Sequence, residues 1–235
     1  MIPIKDYLNA RKRIIASYSK IDDRIGDSEL RSFPILGKDR SKFNINKAIV
    51  LFCNIMGLNI TLEDLDSLST SFLVLKLFLT EATAAIRVGE GLLRDYTGDD
   101  VSAIFPAENL PENCDKAVTS AILLQTVIEK IINPLILSWG HNPLQCGIGI
   151  DIGHMFMANI TPPREKRKFL IYMGHHVDFA KKISQQSKVG EVSISNRIYD
   201  ILSPEMKNSS SGWAWKKHLV EDEAIWIIKE TLEVE

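Results

Sequence analysis

Apolar and polar positions follow two rhythms along this chain. Over residues 4 to 25, Ile4, Leu8, Ile15, Tyr18 and Ile25 recur near helical spacing with charges between them, which predicts an amphipathic N-terminal helix. Residues 26 to 46 are polar, carry Gly26, Pro34 and Gly37, and read as a loop. KAIVLFCNIM (47–56) is then an almost unbroken apolar run of strand length. Thr61, with Asp64 three residues on, forms a variant of the capping box. Leu65, Leu68, Phe72, Leu75 and Leu79 carry helical period towards Arg87. GLLRDYTGDDVSAIF (91–105) reads as two strands about a Gly-Asp turn. Cys114 to Ser138 reads as one long helix that tolerates Pro134 near its end. LQCGIGIDIGHMFMANI (144–160) reads as a hairpin. Its first limb alternates Leu144, Cys146, Ile148 and Ile150, and Gly153 and His154 lie near its turn. A strand over Lys168 to Met173, a helix from Gly174 to about Gln186, a strand over Val192 to Ile194 and a short helix from Asn196 to Leu202 follow. WAWKKHLV and AIWIIKETL make a closing hairpin. Strands alternating with helices, with hairpins late, predict an α/β or α+β domain with a mixed sheet.

Composition narrows the function. Among 235 residues, 28 basic against 30 acidic side chains leave a formal charge of −2, which argues against a role resting on nucleic-acid backbone contacts. A small anionic ligand needs only a few local cations. The three cysteines, Cys53, Cys114 and Cys146, match neither a disulfide framework nor a four-ligand zinc site, and are expected reduced and mostly buried. The best apolar stretch, Ser71 to Leu79, is too short to cross a bilayer, and the charged N-terminus lacks a signal-peptide core. The expectation is a cytoplasmic protein with no membrane partner.

Three segments carry candidate chemistry: FCNIMG (52–57), YTGDDVSAIF (96–105) and YMGHHVDFAKKI (172–183). The first is a buried strand that ends in a glycine turn before a helix, where free backbone N–H groups can bind phosphate. The second places Gly98, Asp99 and Asp100 at a hairpin tip; taken alone, this is a solvated acidic turn. In order and spacing, however, the segments resemble the class III nucleotidyl cyclase catalytic domain. That family shows F-x-D-I-x-G, then G-D-x-x-x-A-x-F, then G-I-G-I-x-x-G, then G-x-x-V-N-x-A-x-R. This chain supplies Phe52, Asn54, Ile55 and Gly57; Gly98, Asp99, Ala103 and Phe105; Gly147, Ile148, Gly149, Ile150 and Gly153; and Gly174, Val177, Asp178, Ala180 and Lys182. The resemblance covers roughly residues 46 to 230. It implies a catalytic domain over 46–235 behind an N-terminal helix and lead-in over 1–45. The implied fold is a ferredoxin-like α+β core whose mixed, mainly antiparallel sheet is flanked by helices. The KDYLNARKRI start, the polar lead-in and the RDYTGDD form are most similar to the bacterial pyrimidine nucleotide cyclases of anti-phage defence, the Pycsar type.

The resemblance implies two Mg²⁺ or Mn²⁺ ions between two aspartates, attack of the ribose 3′-oxygen on the α-phosphorus, and loss of pyrophosphate, with catalysis by positioning and charge neutralisation. By position, Asn54 and Asp99 take the metal-ligand places, with the Ile55 carbonyl as a further ligand. Amides of Ile55, Met56, Gly57 and Leu58 would cradle the phosphates. Asp178 and Lys182 stand in the transition-state positions, one helical turn apart, Lys182 as a point charge rather than a fork. Asn54 brings no charge and cannot readily bridge two hard cations. The chain is then either a natural pseudoenzyme or a cyclase in which a near-isosteric amide was engineered in place of aspartate to hold substrate without turnover. Asp100 is a conceivable substitute ligand, but as Asp99's neighbour it is expected on the other strand face.

Base choice falls by position to Asp95 and Ile171, where adenylate cyclases carry Lys with Asp or Thr. An ionised Asp95 only accepts hydrogen bonds, so it suits cytosine, uracil or guanine over adenine. Arg94 and Tyr96 are within reach of base or phosphates, and Lys216 or Lys217 stands where the family has a triphosphate lysine. His175 and His176 open the helix that carries Asp178. His154, the Arg164–Lys168 loop, Trp213, Trp215 and Trp226 read as solvated or packing residues. The resemblance further implies a homodimer with active sites shared between subunits across a twofold axis, and a separate cyclic-nucleotide-binding effector. A non-catalytic nucleotide-binding or signalling module, or a GTP cyclase, is the alternative. A diguanylate cyclase is argued against by the missing Gly-Gly-Asp-Glu-Phe turn.

Overall fold

The computed structural model describes residues 32–34, 40–56, 65–97, 100–160, 169–208 and 214–229. In chain order the elements are β1 (Ser32–Pro34), β2 (Arg40–Met56), α1 (Leu65–Val88), β3 (Leu92–Thr97), β4 (Asp100–Pro106) and α2 (Leu110–Val127). A π turn over Ile128–Ile132 leads to α3 (Asn133–Ser138), then β5 (Gln145–Ile160), β6 (Phe169–Met173), α4 (His175–Gln186), β7 (Val192–Ser195), α5 (Asn196–Ile201), α6 (Pro204–Lys207), β8 (Lys216–Val220) and β9 (Glu223–Ile228). The expected N-terminal helix, the Thr61 cap, the 164–168 loop and Trp213 lie outside the described residues.

The chain divides into two units, residues 1–46 with 154–174, and residues 47–153 with 175–235. In the first, β1 pairs antiparallel with the start of β2, Ser32 opposite Lys42. The end of β5 pairs antiparallel with β6, Phe156 opposite Met173. The lead-in was expected to be a loop. Phe43 and Ile45 alternate with polar neighbours, a period-two pattern that strand β2 uses and the loop reading overlooked.

The second unit holds the strand order β3-β4-β2-β5-β7-β9-β8. Strands β2–β4, β3–β4, β7–β9 and β8–β9 are antiparallel, and β5–β7 is parallel, so the sheet is mixed and mainly antiparallel, as expected. Alternation assigns its faces. Ile49, Leu51, Cys53 and Ile55 of β2, Val101, Ala103 and Phe105 of β4, and Cys146, Ile148, Ile150 and Ile152 of β5 join one buried core with Phe78 and Ile86 of α1 and Val118 and Ile122 of α2. On the opposite face, Phe179 and Ile183 of α4 pack with Ile225 of β9. Trp226 stacks on Tyr199 with centroids 3.7 Å apart, and the indole N–H of Trp215 donates to the Met206 carbonyl, so both serve packing as expected.

Two sequence expectations give way. The predicted hairpin over 144–160 is a single strand, β5, of 16 residues. Gly153 was taken for a turn residue. A Cβ there would stand 2.8 Å from the Nδ1 of His176, so its glycine serves close packing of α4 rather than a reversal. His176, which opens α4 beside His175, is accordingly buried. The long helix begins at Leu110 and is broken by the π turn, where the Asn133 N–H reaches back to the Ile128 carbonyl. The widened turn sits directly before Pro134, which has no N–H and crowds a regular α turn. Leu110–Ser138 is also long and apolar enough to cross a membrane by length and composition alone, a property the sequence reading did not assign. Here it is a core helix packed against α1.

Gly147 and Gly149 form a side-chain-free strip beneath α4. A methyl on Gly149 would overlap the Ala180 carbonyl oxygen, and one on Gly147 would overlap that of Ser184. Gly149→Ala is expected to cost about 1–3 kcal/mol, as for overpacked cores. A lowered urea midpoint with unchanged denaturant slope checks it.

Candidate active site

Asn54 stands near the end of β2, on the sheet face away from α1 and α2. The β2–β4 register sets it directly opposite Asp100, and directly opposed residues project to one face. The Asn54 side-chain Nδ2 donates to Oδ1 of Asp100 at 2.8 Å. The ammonium of Lys181, from α4, lies 2.8 Å from Oδ2 of the same carboxylate. Asp100 was expected on the other face; the alternation of Asp100 and Ser102 with Val101 and Ala103 puts it on Asn54's face instead. Beneath it the Cys53 thiol is held well above its ordinary pKa by its hydrogen bond to Cys146 and by burial, so it stays a neutral core group. Burial likewise pushes the Cys114 thiol up to about 12. All three cysteines are free and buried, as expected.

Other predicted site residues distribute unevenly. Ile55 is buried in the core and Met56 half-buried, while Gly57, Leu58, Gly98 and Asp99 lie outside the described residues. The β3–β4 register shifts between Leu93 and Asp95, leaving Arg94 as the extra residue of a bulge. Its Nε is buried without a hydrogen-bond partner. Tyr96 is exposed, with its phenol pKa raised by partial burial. Asp95 pairs in register with Ser102, and its side chain lies outside the described part. Ile171 is an exposed β6 residue of the first unit. Asp178 is exposed on α4. Lys182 pairs with Glu221 in the β8–β9 turn, so of the two adjacent lysines it is Lys181 that meets the Asp100 carboxylate. Lys216 and Lys217 are exposed on β8, with the Lys217 ammonium 5.7 Å from the Trp226 ring centroid.

Sequence reasoning missed Lys181 and a buried charge network beside it. Asp151, fully buried on β5, accepts from the backbone N–H of Ile152 at 2.7 Å. It also accepts a two-pronged contact from Arg197 at 3.1 and 2.6 Å. Arg197 extends to Glu223 at 3.1 Å and lies over the Phe179 ring. The Asp151 contact raises the guanidinium's pKa further and keeps the buried carboxylate paired. A lone aspartate inside GIGIDIG was the available signal.

As they stand, the described residues do not by themselves hold a pair of divalent ions, and the other predicted ligand, Asp99, lies outside them. Among the described residues no group of three or more His, Cys, Asp or Glu gathers into a metal site. Asp100 already spends both oxygens, and Asn54 turns its nitrogen, not its oxygen, towards it.

A mixed sheet in this order, with a glycine-backed helix across one face and a polar pair across neighbouring strands β2 and β4, is the nucleotidyl cyclase catalytic fold. The chain belongs to the adenylate and guanylate cyclase catalytic domain family, whose model matches residues 97–217. No curated protein matches the chain. The solved guanylyl cyclase Cya2 superposes with a TM-score of 0.67 at 19% identity, covering 81% of this chain and 95% of that one. The adenylyl cyclase CyaB from P. aeruginosa gives 0.66 at 18% identity, over 81% and 97%. The guanylate cyclase domain of RhGC from Catenaria anguillulae, solved with GTP, gives 0.61 at 14%, over 80% and 98%. At these identities the likeness is one of fold. Cyclase domains of this family generally use divalent metal ions.

Asn54→Asp is expected to lower the melting temperature by about 2–4 °C in EDTA, since it trades a hydrogen bond worth about 1 kcal/mol for two facing carboxylates. Mn²⁺ should restore more stability to the variant than to the unaltered protein. Melting curves with and without the ion check both signs.

Proposed function

We propose that the chain is a cyclase for a pyrimidine nucleoside triphosphate, UTP or CTP. The ribose 3′-oxygen forms a bond to the α-phosphorus, the bond from that phosphorus to the pyrophosphate oxygen breaks, and the 3′-hydroxyl proton passes to solvent. The observation that carries the cyclase reading is the family match, which starts at residue 97 and so takes in β4, the strand that sets Asp100 against Asn54. Held by Asp99 and the Ile55 carbonyl together with the residue at position 54, Mg²⁺ or Mn²⁺, two per site, would supply neutralisation of the triphosphate and leaving group. Arg94, with its buried unpartnered Nε, supplies a donor for nucleotide, and exposed Lys216 and Lys217 supply cationic charge for the triphosphate. Asp95, an acceptor in the base-selecting position, supports a base that presents N–H groups.

The proposed enzyme is a cytoplasmic homodimer with shared sites, Asp178 and Lys182 serving the partner's nucleotide. Its cyclic product is a second messenger of anti-phage defence, read by a separate effector. The amide at position 54 favours a second reading, a nucleotide-binding relative without turnover.

Incubating the protein and its Asn54→Asp variant with ATP, GTP, CTP and UTP in Mn²⁺, and separating products by mass, tests both. The expected result is a cyclic pyrimidine monophosphate, at least about tenfold faster from the variant, the size of a lost charge contact of about 1.4 kcal/mol. A cyclic purine overturns the pyrimidine assignment. No product from either folded protein establishes the second reading.

A further inference from the structure

The Asp100 carboxylate is the one acidic group seen at the Asn54 position among the described residues, and it is not waiting for a cation. Its Oδ1 accepts from the Asn54 amide and its Oδ2 holds the Lys181 ammonium, both at 2.8 Å. The aspartate is largely enclosed, with 16% of its side chain exposed, whereas Lys181 is 45% exposed. The lysine therefore enters from the solvent side and has water to return to. Its backbone is fixed: α4 rests on the bare backbone of Gly147 and Gly149, with the Ala180 carbonyl directly against Gly149. The helix thus delivers the ammonium by construction, while the long lysine stem leaves the head free to swing.

We propose that Lys181 is a built-in counter-cation for Asp100, and that a divalent ion enters this site only by displacing it. The inference deepens the proposed cyclase reading, resting on it for the identity of the ion. An ammonium beside a carboxylate repels any further cation that approaches it. A divalent ion meets the same repulsion and also needs the oxygen that Lys181 occupies. Lysine suits a displaceable cation, since it binds as a single point rather than as arginine's two-pronged fork.

The test is Mn²⁺ binding to nucleotide-free protein, read by electron paramagnetic resonance. Lys181→Met should bind Mn²⁺ about tenfold tighter or more, and Lys181→Arg should not. The gain should vanish in the Lys181→Met/Asp100→Asn double variant. Equal or weaker binding by Lys181→Met overturns the proposal. The unaltered protein gives a second readout: acetylation of Lys181 by an N-hydroxysuccinimide ester, followed by mass spectrometry. Mn²⁺ should raise its labelling severalfold relative to Lys188, and unchanged or slower labelling overturns the proposal. Neither readout uses turnover. Displacement without any cyclic product would sink the enzyme reading alone, while turnover with Lys181 labelling unmoved would sink this one alone.

Discussion

Everything at the candidate site depends on how closely α4 approaches β5. A helix normally rides on a sheet at side-chain distance, but here Gly147 and Gly149 remove the side chains from one face of β5, and the backbone of α4 descends to them. Ile148 and Ile150, on the other face, bury into the main core and hold the strand in place. One dipeptide, Gly-Ile repeated, thus does two things through the period of two. It anchors β5 below and opens a trough above. Lys181 reaches Asp100 because the helix that bears it lies in that trough.

Charge on this face is organised in two zones of differing rigidity. Around Asp151 the carboxylate is fully buried and held by a backbone N–H and an arginine fork, a geometry that fixes direction as well as charge. That network ties β5 to α5 and, through Glu223, to β9. Around Asp100 the cation is a lysine and the second partner an amide. The first arrangement locks strands and helix together. The second satisfies its carboxylate with contacts that are individually replaceable.

Much of this was legible in the sequence because period two is a strong signal. The apolar run in β2, the GIGI alternation in β5, the closing hairpin and the strand-helix order all emerged from hydrophobic spacing. What failed was read from single residues. Gly153 and His154 suggested a turn, yet a glycine inside a strand is as often made by what lies above it, and here that is the His176 ring. Asp100 was assigned to the wrong face by counting from Asp99, a residue of the expected Gly-Asp turn, where strand alternation is no guide. Counting from Val101, Ala103 and Phe105, which share the core with Leu51 and Cys53, gives the observed face. Lys181 was passed over because the family pattern named its neighbour. Helical position does not choose between adjacent lysines; the location of the nearest buried carboxylate does, and that is a tertiary fact.

The amide at position 54 changes the resting state of the site as well as its ligand count. Two facing carboxylates between strands would repel each other and make the bare fold lean on a bound cation. With Asn54, one negative charge remains in view, the amide donates to one of its oxygens and an ammonium balances it at the other. Asp100 is therefore charge-balanced and hydrogen-bonded by the chain's own residues. Asn54 against Asp100 is the last pair of the β2–β4 register. The described pair is balanced by the chain's own residues, and an ion arriving at Asp100 has to compete with interactions already made.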